Sequence, residues 1–129
     1  MERLRFTLSF LALVLAACLA LSCGASQGPG QLQSIALRPA TADAQAQFTA
    51  SGYYVHPSHT VTPQSATWGA CYQGAPTTEV PVTQGGVAQC ANGATGTYTV
   101  FAFVGTNCNV INACGGGCTV VGTAQLTCP

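Results

Sequence analysis

Six cysteines occupy the second half of this chain, at Cys71, Cys90, Cys108, Cys114, Cys118 and Cys128, and any fold must first account for them. An even set in a small exported domain reads as a disulfide framework, because so short a chain has little core relative to its surface. Six cysteines allow fifteen pairings, so the number of bridges is better determined than their connectivity. We expect Cys71 to pair with Cys90, and Cys108, Cys114, Cys118 and Cys128 to staple segment 105–122 to the last strand. The rival for those four is tetrahedral zinc, but they lack the close CxxC pairs of zinc ribbons, and no metal is expected. Cys114-Gly115-Gly116-Gly117-Cys118 has three residues between its thiols where the redox motif has two.

Export is written at the N-terminus. Arg3 and Arg5 precede an uncharged apolar run from Phe6 to Leu21, which ends at Ser22-Cys23-Gly24. A charged start, a short hydrophobic stretch and small residues before a cut describe a secretory signal rather than a membrane span. Ala20-Leu21-Ser22-Cys23 resembles the bacterial lipobox, whose Cys is acylated and becomes the first mature residue. Leu15-Ala16-Ala17-Cys18 fits the same pattern, which makes Cys18 the alternative lipidation site. Parity favours Cys23, because losing Cys18 with residues 1–22 leaves six cysteines to pair, whereas acylating Cys18 leaves seven. Residues 23–31 read as a flexible tether. Gly24 after the lipidated Cys, by resemblance to known sorting patterns, directs the protein to the outer membrane or cell surface.

Residues 32–129 have the length of one small domain. Their charges are Arg38, Asp43 and Glu79, with no Lys in the chain, so nucleic acid is not an expected partner. Thr, Val, Ala, Gly and Pro are abundant and no stretch has a helical period, which favours strands and turns.

Apolar residues alternate along those strands. Ile35 and Leu37 share one face of the first. Phe48, Ala50, Gly52 and Tyr54 share a face of the second, with Tyr53 turned away. Ser65 to Trp68 is a third, and Glu79 to Val82 and Val87 to Cys90 are shorter, with a Gln84-Gly85-Gly86 turn between them. Thr97 to Val104 places Tyr98, Val100, Ala102 and Val104 together, and Thr123 to Cys128 does the same with Ala124, Leu126 and Cys128. About seven short strands imply an all-β, two-sheet sandwich.

The order of these segments resembles the bacterial immunoglobulin-like group 2 domain. The resemblance runs through Leu32 to Thr41, Ala46 to Gly52, Ser65 to Trp68, Gly86 to Ala88 and Gly96 to Val100. It implies an immunoglobulin-like β-sandwich of the kind used in stalk and adhesion modules of bacterial surface proteins, with no catalytic residues to carry over. The chain departs from the family by inserting residues 105–122, with three of the six cysteines, before the last strand.

Few residues offer chemistry. His56 and His59 flank a turn and lack a third metal ligand, so both read as solvated. Two carboxylates, two imidazoles and one guanidinium make few acid–base constellations, and no nucleophile elbow surrounds a Ser. Catalysis and cofactors are therefore not expected. A site joining Glu79 or Asp43 to His56 or His59 would favour a small secreted enzyme. Trp68 reads as core packing. Phe101 and Phe103 face away from Tyr98 and Val100, so either the insertion folds back over them, as we expect, or they form with Tyr53 an exposed binding patch.

The sequence thus predicts a non-catalytic envelope lipoprotein that presents one disulfide-stapled domain to an extracellular protein or polysaccharide, with the membrane as partner through its lipid. A carbohydrate-binding module using surface aromatics is the alternative.

Overall fold

Alternating side chains need two environments, and two packed sheets supply them in the computed structural model, which describes residues 30–129. The expected leader of residues 1–22, Cys18, Cys23 and residues 23–29 of the expected tether lie outside the described residues. The strands are β1 (Gln31–Arg38), β2 (Thr41–Asp43), β3 (Gln45–Gln47), β4 (Thr49–Val55), β5 (His59–Val61), β6 (Thr67–Tyr72), β7 (Ala75–Pro76), β8 (Val87–Gln89), β9 (Gly96–Phe103) and β10 (Gly122–Cys128).

One sheet runs β1-β4-β5, extended by a β3-β8 pair where β3 leads through Phe48 into β4; the other runs β2-β10-β9-β6-β7. After β1 the chain crosses at Pro39-Ala40, so that β2 lies parallel to β10 while every other pairing is antiparallel. This is an immunoglobulin-like sandwich. It has more than seven strands because the first two long runs are each broken into two pieces, and because β5 and β7 are short hairpin partners. Glu79 to Val82 forms no strand, only a bridge from Val82 to Ala88. Pro81 within it has no N–H to give a ladder.

Ile35, Leu37, Phe48 and Ala50 from one sheet meet Val100, Ala102, Ala124 and Leu126 from the other in a single core. Burying each of the larger side chains contributes about 1.5–3 kcal/mol. Gly122 on β10 keeps the sheets close, since a Cβ there would lie 2.8 Å from Ile35 Cγ2.

A second, smaller core lies on the opposite face of the five-stranded sheet. Segment 105–122 contains a helix, α1 (Val110–Gly115), too short to leave a helical period in the sequence. Asn109 caps it, its Oδ1 accepting from Asn112 N at 2.8 Å, and Gly116 ends it at φ 82°. Ala113 of α1 packs on Phe101, Phe103 and Cys71, so β9 is buried on both faces.

All six cysteines pair, but not as expected. Cys71 bonds Cys114, joining β6 to α1, with Cα atoms 5.6 Å apart. Cys90 bonds Cys128 at the end of β10, and Cys108 bonds Cys118 across the insertion. The expected Cys71–Cys90 bridge fails because the Cys71 side chain lies on the outer face with Phe101, whereas Cys90 packs against the core between the sheets. Cys114 and Cys128 belong to bridges with Cys71 and Cys90, which are outside the four cysteines weighed for zinc.

Candidate functional site

The aromatic patch of Tyr53, Phe101 and Phe103 does not form. Phe101 is 0 % exposed and Phe103 5 %, their rings stacked at 5.9 Å under α1. Only Tyr53, 42 % exposed on β4, reaches solvent. The insertion covers the two rings because Cys71–Cys114 ties α1 directly above them.

Two of the sparse ionisable groups, His59 and Glu79, are engaged separately. His59 Nδ1 lies 2.9 Å from Pro57 O, and its ring stacks on Tyr54 at 4.7 Å. The Glu79 carboxylate accepts the hydroxyl of Tyr98, a buried ring that also packs against Tyr72. That hydrogen bond, reinforced by burial and by the carboxylate's charge, raises the Tyr98 hydroxyl above its usual pKa. Among the described residues no group of three His, Cys, Asp or Glu could hold a metal ion.

A cleft of about 460 Å³ opens between the β3–β4 junction, the residues before β6 and the turn before β8. Pro63 and half-buried Trp68 give it apolar surface, backed by the buried side chains of Phe48 and Ala50. Trp68 is half-buried, packed against the main core while lining this cleft, so it is less enclosed than a core residue should be. Gly86 brings the turn in: at φ 86°, a Cβ would lie 2.4 Å from Phe48 O and 3.0 Å from Trp68 Cζ2. Phe48 N donates to Gly86 O at 2.8 Å, and Gly86 N to Thr83 O at 3.0 Å.

Gln47, Gln64 and Gln84 form the polar rim. Gln47 Nε2 donates to Phe48 O at 2.9 Å and to Gly85 O at 2.6 Å. Both amide hydrogens are thereby used, leaving Oε1 as a fixed acceptor. Gln64 Oε1 accepts from Tyr54 Oη at 2.7 Å and its Nε2 donates to Ser65 O at 3.0 Å, which leaves one N–H. In the sequence Gln84 stands out only as part of a turn, and nothing singles out Gln47 or Gln64. The only signal pointing here was that turn lying in the same sandwich as the single Trp.

No protein-family model and no curated protein matches the chain.

Proposed function

We propose that this chain is a non-catalytic envelope lipoprotein, anchored through Cys23, that displays its immunoglobulin-like domain outside the cytoplasm for adhesive contact. The observation that carries this reading is the closure of all six cysteines into three disulfides, a framework that persists in oxidising compartments. The leader pattern at Arg3 to Cys23 and the resemblance to bacterial immunoglobulin-like group 2 domains support it further. The scarcity of charge suits a domain that engages neutral surfaces rather than nucleic acid.

Intact-mass measurement of the native protein, alkylated with and without reduction, tests anchor and staples together. The expected mass begins at an acylated Cys23, with six cysteines alkylated only after reduction. An unacylated start overturns the anchor, and thiols that label without reduction overturn the oxidised framework. Attachment of intact cells to their substratum should fall when the gene is deleted, and unchanged attachment would overturn the adhesive role.

A further inference from the structure

We propose that the cleft beside Trp68 binds an uncharged oligosaccharide, a ligand class that rests on reading the domain as a non-catalytic adhesive module. Sugar rings present apolar C–H faces and a fringe of hydroxyls, each needing a donor and an acceptor. The cleft offers the same division, with exposed Pro63 and half-buried Trp68 as its apolar surface and the amides of Gln47, Gln64 and Gln84 at the rim. The Gln47 acceptor and the Gln64 donor are held by bonds within the protein, so binding need not immobilise them. No ionisable residue lines the cleft, which matches a neutral ligand and gives an anionic one no counter-charge.

A peptide would enter such a flank by strand addition, drawing on free backbone groups. Those groups are taken here, because Phe48 N donates to Gly86 O and Ala50 O accepts from Gln64 N at 2.8 Å.

Trp68 is the only tryptophan in the chain, so tryptophan fluorescence reports on the surroundings of a residue that lines this cleft. The full-length oxidised protein is titrated with cellohexaose, xylohexaose, mannohexaose, maltohexaose and N-acetylchitohexaose, and with oligogalacturonate as the charged comparison. At least one neutral hexaose should shift the emission saturably while oligogalacturonate does not. Gln47→Ala and Gln64→Ala should each weaken that binding about tenfold. Gln84→Ala, at an exposed residue with no hydrogen bond among the described residues, weakens it without disturbing the fold. No emission change with any neutral hexaose overturns the proposal, as does undiminished binding by all three variants. The adhesive reading survives either failure if cell attachment still depends on the protein. A hexaose bound but shortened during incubation upholds the site and overturns the non-catalytic reading.

Discussion

Phe101 on β9 lies directly across from Gly69 on β6, so close that a Cβ at residue 69 would come within 2.4 Å of the ring's Cζ. The ring has no retreat, because it is fully buried beneath α1. Gly69→Ala should therefore lower stability by about 1–3 kcal/mol, as overpacking of a filled core does. Thermal denaturation of the oxidised protein measures this, and an unchanged Tm would mean that the capped core is loose.

The Cys71–Cys114 bridge closes a loop with a sequence separation of 43, against 10 for Cys108–Cys118. Replacing both Cys71 and Cys114 by Ala should cost about 2–4 kcal/mol, with removal of the shorter bridge costing roughly 1 kcal/mol less. The first variant should also bind an apolar dye, because α1 is then free to leave Phe101 and Phe103 exposed. Its strand signal in far-ultraviolet circular dichroism should persist, since the main core does not depend on the cap.

Alkaline pH should weaken the fold through Tyr98. Its hydroxyl is raised in the folded state, chiefly by donating to Glu79, so the folded chain holds this proton more tightly than the unfolded one. The resulting stability is fully present below the ordinary tyrosine value near pH 10 and is lost as pH rises through the folded value. Tyr98→Phe should flatten the decline of Tm above about pH 10. A decline as steep as in the parent protein would place its cause elsewhere.

Asn109→Ala removes the acceptor for Asn112 N and should cost about 1 kcal/mol, while Asn109→Asp should retain most of the stability. Amide exchange within α1 separates this effect from global unfolding: it should quicken at α1 residues and stay unchanged in β9.

Strand faces were legible from residue order because a pleated strand sorts its side chains with period two. Phe48 and Ala50, Tyr98 and Val100, and Ala124 and Leu126 all face inward as that period requires. Disulfide connectivity was not legible, since Cys71 and Cys114 meet only after β6 and β9 pair and the insertion folds across both. The helix escaped notice because six residues complete fewer than two turns and its order comes from a cap and bridges rather than a hydrophobic stripe. The cleft escaped notice for a similar reason. Gln47, Gln64 and Gln84 come from three separate segments, and each is unremarkable until backbone closure at Phe48 and Gly86 brings them to one opening.

Under tension, the bridges decide how far the domain can lengthen. A pull applied between Gln31 and Pro129 runs along the chain to Cys71, where two covalent branches lead toward the far end. One continues to Cys90 and crosses to Cys128, and the other crosses at once to Cys114 and follows the chain to Cys128. The second branch contains less backbone, so it tightens first and carries the load. The stretch between Cys71 and Cys114, which includes β9, stays slack even after every strand has parted, and the oxidised domain acts as a short leash with a hard stop.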